Sequence, residues 1–174
     1  MQRYALVYGG LAGLIVIGSV ILGLIVNPNG VGSSQLFGYL IMLLALSLIY
    51  VGVRRYRDQE LGGIITFPRA LLLGAAMAGA AGLIYVALWE LYLALSGYDF
   101  MAAYSASVME QKRAAGLDKA ALADEAARLE AMRKAYANPL IRLPMTFAEI
   151  VPIALLVALV SAALLRTRRR EKPA

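Results

Sequence analysis

The stretch ALLLGAAMAGAAGLIYVALWELYLAL at residues 70–95 contains a single charged side chain, Glu90, and is otherwise apolar or small. About 20 such residues cross a hydrocarbon layer roughly 30 Å thick. That layer offers no water to backbone N–H and C=O groups, so a crossing segment must be helical. Residues 4–26, 36–53 and 146–165 read the same way, and Glu149 is the other acid within these four stretches. The expected fold is therefore an all-α integral membrane protein. Four transmembrane helices form one domain over residues 1–174, with a helical extracytoplasmic insert at residues 96–145 and a basic tail at residues 166–174.

The 174 residues, 61% of them hydrophobic, are nearly used up by four spans and their connections. The chain contains neither Cys nor His. Lack of Cys rules out a disulfide, a thiolate nucleophile, a thiolate-bound metal and a lipidated cysteine. Lack of His removes the side chain that titrates unperturbed near neutral pH, and with it Ser-His-Asp catalysis and His-ligated zinc or haem. No catalytic, cofactor-binding or metal-binding set is evident, so the chain reads as a non-enzyme without cofactors.

A net charge of +6 suggests nucleic acid in a soluble protein, but the positions argue for a membrane. Arg54, Arg55, Arg57 and Arg69 flank the second connection, Arg3 lies at the N-terminus, and Arg166, Arg168, Arg169, Arg170 and Lys172 crowd the tail. Basic clusters beside membrane helices mark the cytoplasmic side and attract anionic headgroups. Both termini are thus expected in the cytoplasm of a bacterial inner-membrane protein. Arg54, Arg55, Arg57 and Arg69 become candidate lipid-headgroup contacts, and nucleic acid is not an expected partner. Residues 4–26 form too long an apolar run for a signal peptide, and Asn27-Pro28-Asn29-Gly30 is a turn rather than a cleavage site.

Within the insert, Asp99 can cap a helix reaching about Ala115, with Phe100, Met101, Tyr104 and Val108 at helical spacing. Gly116 stops it. Asp118 can cap a second helix reaching about Ala137, whose stripe is Leu122, Ala126, Leu129, Met132 and Tyr136. Asp124 with Arg128, and Glu130 with Lys134, stand at i,i+4. The expectation is a helical hairpin resting on the outer mouth of the bundle.

Several stretches together resemble one family: Gly38-Tyr39, Ala45-Leu46-Ser47, Tyr56-Arg57-Asp58, Gly62-Gly63, Ile84-Tyr85, Trp89-Glu90, Asp99-Phe100-Met101, Asn138-Pro139-Leu140 and Met145-Thr146-Phe147. In this order and spacing they are similar to the bacterial membrane proteins grouped as domain of unknown function 4199. The resemblance runs from Tyr4 to Arg166. It implies four membrane helices with a helical insert between the last two, and it carries no activity.

Acids inside membrane spans are candidate functional residues, because a carboxylate in lipid is costly. At about 1.5 Å per residue, Glu90 lies roughly 31 Å beyond Arg69 and Glu149 about 26 Å before Arg166. Both are thereby placed near the outer boundary on consecutive antiparallel helices. Thr146 and Glu149 have capping-box spacing. Ala75, Gly79, Gly82 and Val86 share Glu90's side of its helix, a small-residue stripe suited to helix packing, as are Gly9 and Gly13 in the first span. Tyr85, Trp89 and Tyr92 read as an outer aromatic belt. Arg142 is the basic residue nearest both acids, so Glu90, Arg142 and Glu149 form the expected polar cluster.

Two functional readings follow. The first is a non-enzymatic accessory or assembly protein that acts by contact with another membrane protein or with a second copy of itself. The second is a small transport or ligand-binding module that uses Glu90 and Glu149 at the outer mouth of the bundle. Only Ser19, Ser47 and Ser161, tyrosines aside, interrupt the apolar spans, which offers little of an inward polar path.

Overall fold

Helices α1 (Gln2–Val26), α2 (Gln35–Leu46), α3 (Leu48–Glu60), α4 (Phe67–Ser96), α5 (Phe100–Ala114), α6 (Lys119–Tyr136) and α7 (Pro139–Leu165) follow one another in the computed structural model, which describes residues 1–26 and 35–167. The connection containing Asn27-Pro28-Asn29-Gly30, and Arg168, Arg169, Arg170 and Lys172 of the tail, lie outside the described residues. Among the described residues, four helices are long and apolar enough to cross a membrane: α1, the α2–α3 unit over Gly38–Glu60, α4 and α7. Helices α2 and α3 run on through Ser47, whose N–H bonds the Leu43 carbonyl and whose own carbonyl accepts from Val51. Residues 5–9 of α1 are wound as a π-helix.

Helix α4 is the axis of the molecule. In lipid the tails are as apolar as leucine, so helices associate by close packing and small residues let backbones approach. Ala70, Gly74 and Ala78 recur at every fourth position of α4, facing α7, where Ala154, Ala158 and Ala162 repeat at the same interval; all six are buried. A Cβ on Gly74 would stand 2.8 Å from the Ala158 Cβ. On another face of α4, Gly9 and Gly13 of α1 lie against the Met77 and Ala81 backbone, and a Cβ on Gly13 would come within 2.6 Å of the Ala81 carbonyl oxygen. Gly82 packs under Phe147 and Val151 of α7, but a Cβ on Gly79 would meet nothing within 4 Å among the described residues. The expected stripe through Gly79 is therefore corrected. The true contact rows are those through Gly74 and Gly82. Outward-facing Leu22, Leu44, Leu72, Leu83 and Leu156 are all more than half exposed, as suits a surface solvated by lipid.

The ends of the bundle are distinct. The Tyr4 hydroxyl lies 3.0 Å from Gln59 Oε1 and 3.1 Å from Glu60 Oε1. The Ile65 N–H donates to Thr167 Oγ1 at 2.8 Å, and the Thr167 N–H donates to the Ile65 carbonyl. The N-terminus, the α3–α4 connection and the end of α7 thus meet at one end. Arg54, Arg55 and Arg57 belong to the last turns of α3 rather than to a connection. Helical backbone bonding persists there while long basic side chains reach outward. Residues 61–66 alone make the connection, turning on Gly62 and Gly63 with φ of 61° and 87°, a region L side chains avoid. Pro68 then opens α4.

At the other end, the insert is the helical hairpin read from the sequence. Asp99 accepts from the Ala102 N–H at 2.9 Å and Asp118 from the Ala121 N–H at 2.8 Å, capping α5 and α6, and Gly116 turns between them with φ of 78°. Glu130 pairs with Lys134 as spaced, but Arg128 pairs with Glu125 at i,i+3 instead of Asp124.

The fourth span begins earlier than expected. Asn138 caps it, accepting from the Leu140 N–H at 3.0 Å, and Pro139 occupies the first turn. Pro144 is tolerated because its missing N–H removes one intrahelical bond near the start. Thr146 is an interior residue whose hydroxyl donates to the Arg142 carbonyl at 3.0 Å. The capping box of Thr146 and Glu149 is thereby corrected: the two residues lie about two and nearly three turns inside α7.

Gly13→Ala is expected to destabilise the protein by about 1–3 kcal/mol, the usual cost of overpacking. Gly10→Ala and Gly79→Ala, each with open space for the Cβ, should stay within about 0.5 kcal/mol of the parent. Thermal unfolding in a mild detergent measures all three.

Candidate functional site

Helices α4 and α7 run antiparallel, so the end of α4 meets the start of α7 beneath the insert. There Arg142 donates to Glu90 through both Nε (2.7 Å to Oε1) and Nη2 (2.5 Å to Oε2). The side chains are 19% and 25% exposed. The guanidinium also lies 5.6 Å from the Tyr136 ring centroid, and its Nη1 donates to the Tyr136 carbonyl at 3.5 Å. A bidentate fork of this kind fixes direction as well as distance, so it ties α4, α7 and the end of the insert into one joint.

Glu149 is not part of this joint, which corrects the expected cluster of two carboxylates around Arg142. Because α7 already starts at Pro139, Arg142 and Glu149 are two helical turns apart, about 10 Å along the axis. Glu149 instead accepts from the Tyr85 hydroxyl at 3.2 Å. It is exposed rather than packed away, and it lines a partly open cavity of about 250 Å³ between the bundle and the insert.

The walls of that cavity are aromatic. Tyr85 and Trp89 contribute from α4, Phe100 and Tyr104 from α5, and Tyr136 from α6. Met101, Met132 and Met145 fill the gaps between them. Trp89 Nε1 donates to the Tyr136 hydroxyl at 2.7 Å, and the Phe100 ring stands edge-on to Trp89 at 5.2 Å. Tyr85 and Trp89 are only 3% and 4% exposed, so the outer aromatic belt is corrected: the insert folds over these rings and encloses them. Burial raises the pKa of the Tyr136 phenol above its usual value, keeping it neutral near pH 7 as the acceptor for Trp89. The sequence had placed Phe100, Tyr104, Met132 and Tyr136 on helix stripes without assigning them to a site. The available signal was that both insert stripes and α4 carry aromatics at the same end of the chain's layout.

Beside this cavity, and sharing Phe100, Met101 and Tyr136 with it, a second cleft of about 370 Å³ is lined by Asp99, Arg133 and Arg142. Asp99 and Arg133 pair there at 3.4 Å with both side chains half exposed, a geometry that contributes little. At the opposite end of the bundle, Arg55 donates to the Tyr8 hydroxyl at 3.1 Å and Arg69 to the Tyr56 hydroxyl at 3.0 Å. Arg57 and Arg54 approach Asp58 at 2.7 and 3.7 Å. These four arginines form a rim distinct from the polar residues under the insert.

Removing one partner of the joint should cost more than removing Glu149. Arg142→Ala strands Glu90 in a poorly hydrated position and is expected to destabilise by about 3 kcal/mol. Adding Glu90→Gln to Arg142→Ala should recover part of that loss, and Glu149→Gln alone should change stability by less than about 1 kcal/mol. Thermal unfolding of the four proteins in detergent gives the comparison; an Arg142→Ala protein as stable as the parent would show that the joint holds nothing together.

Comparison with known proteins adds a family and no activity. The model described as protein of unknown function (DUF4199) matches residues 3–167. No curated protein and no solved structure matches the chain. With nearly the whole chain covered, from the start of α1 to the end of α7, this protein belongs to the DUF4199 family.

Proposed function

We propose that the protein is a non-enzymatic, multi-pass module of the bacterial inner membrane that binds a small ligand between its helical bundle and its insert. One observation carries this reading: a carboxylate at membrane depth, Glu149, is exposed to an aromatic-lined cavity with a neutral phenol as its hydrogen-bond partner. Ionisable groups in membrane spans are retained where they act, and concave apolar sites with few polar groups are the usual form of ligand pockets.

Binding is favoured over conduction. Ser19, Ser47 and Ser161 each donate to a carbonyl of their own helix, at 2.7, 2.6 and 2.6 Å, so none of these three hydroxyls is free to continue a polar path inward from Glu149. In this reading Arg54, Arg55, Arg57 and Arg69 mark the cytoplasmic face and meet anionic headgroups, both termini are cytoplasmic, and the insert lies outside.

A contact-acting accessory role is the second reading, favoured by a groove of about 580 Å³ between α5 and α6. Ser105 lines it, and its buried hydroxyl has no hydrogen-bond partner. A membrane partner laid along this groove would supply one. Repeated purification of the protein alone from mild detergent would count against this role.

Two measurements test the proposal. Small molecules extracted from the purified protein and from a cavity-filling Met132→Trp variant of matched thermal stability are compared by mass spectrometry. A compound retained by the parent and lost from the variant is expected, and identical extracts would remove the reading. For orientation, the chain's lack of native Cys allows single cysteines at Glu125 and Arg54. An impermeant thiol reagent applied to intact cells should label the first and spare the second.

A further inference from the structure

We infer that the cavity takes an organic cation: an ammonium group, primary or quaternary, carried on a small apolar body. The inference rests on reading this cavity as a ligand site and names the chemistry of what fills it. Among the described residues, Glu149 is the single acid that lines the cavity, and no Lys or Arg lines it. The nearest basic side chain along α7, Arg142, is engaged by both carboxylate oxygens of Glu90 and lies over Tyr136. An anion entering here would face the acidic side chain, whereas a cation would find in Glu149 the one charge partner that the lining offers.

The walls favour a positive group for a second reason. Tyr85 and Trp89 from α4, Phe100 and Tyr104 from α5, and Tyr136 from α6 all bring aromatic rings to the cavity. Aromatic rings attract cations to their faces, most strongly when the cation has left water. Val20 of α1 and the three methionines complete an apolar, adaptable surface for the rest of the ligand. Metal ions fit poorly, because calcium takes six to eight oxygen ligands and magnesium about six, whereas one carboxylate and a few hydroxyls are all the oxygen donors that side chains offer here. A soft organic cation needs only one counter-charge and polarisable walls.

The test uses the full-length protein and its own reporter. Trp89 is the one tryptophan of the chain and lines the cavity, so its emission reads occupancy directly. In a non-ionic detergent, benzyltrimethylammonium is titrated beside neopentylbenzene, the same shape without the charge. A saturable change in Trp89 emission is expected, at least about ten-fold tighter for the cation, given what a charge-assisted contact and a desolvated ring face contribute. Glu149→Gln should lose about ten-fold for the cation and nothing for the hydrocarbon, while Asp58→Asn at the opposite end should match the parent.

A second arm separates the two sources of an ammonium group. Nanodiscs of phosphatidylglycerol alone are compared with nanodiscs that also contain phosphatidylethanolamine. Binding unchanged between them assigns the site to a soluble cation, and competition by phosphatidylethanolamine assigns it to a lipid headgroup. Equal affinity for the cation and the hydrocarbon, or a Glu149→Gln protein that binds the cation as tightly as the parent, overturns the inference while leaving a ligand pocket in place. Failure of both probes to bind overturns the inference and the ligand-binding reading together.

Discussion

Helix α4 can stand between α1 and α7 only because its neighbours meet it without side chains in the way. Gly13 lies on the Ala81 backbone, Gly74 against Ala158, and Gly82 beneath Phe147. Within lipid there is no hydrophobic gain from bringing two apolar helices together, so contact area at short range is what holds them. Small residues at intervals of four supply that area in long rows. Everything at the insert end inherits its position from these rows. The register of α4 on α7 sets Glu90 opposite Arg142 and Tyr85 opposite Glu149. A slip of one turn, about 5.4 Å, would break both.

The insert then changes the character of the end it covers. Without it, Tyr85, Trp89 and Tyr92 would be the amphipathic rings that sit at a membrane boundary. With α5 and α6 folded across them, Trp89 gains a hydrogen bond to Tyr136 and an edge-on contact with Phe100. Tyr85 and Trp89 become part of the wall of a cavity rather than an anchor in the headgroups. Arg142 holds this arrangement in place from the side, bridging Glu90 of the bundle and the Tyr136 end of the insert.

The four spans were legible because length and apolarity alone decide whether a segment crosses lipid. The insert helices were legible because Asp99 and Asp118 cap them locally and Gly116 separates them. Helix ends inside the boundary region were not. Pro144 and the Thr146–Glu149 spacing together imitate a helix start, whereas Asn138 and Pro139 make the real one. Nothing local distinguishes these alternatives, since a proline near the start of a helix costs a single bond. Tertiary facts were equally hidden. Gly79 and Gly82 belong to one sequence stripe, yet of the two only Gly82 would bring a Cβ against a neighbour among the described residues. Tyr85 and Trp89 match a membrane belt until the hairpin that buries them is taken into account. The pairing of Glu90 with Arg142 was legible because the basic choices at that boundary are few. The separate place of Glu149 depended on where α7 begins.

The two intramembrane acids, alike in the sequence, therefore solve opposite problems. Glu90 has its charge cancelled within the protein by a two-pronged guanidinium, so its free energy is settled on folding and it serves the joint. Glu149 is held by one phenol, which shares a proton without supplying positive charge. A neutral amide in that position could accept the same bond from Tyr85. A cation in the cavity would be the charge partner that the lining residues do not themselves supply. Among the described residues that line this place there is no basic side chain, and Arg142 is engaged by Glu90 instead.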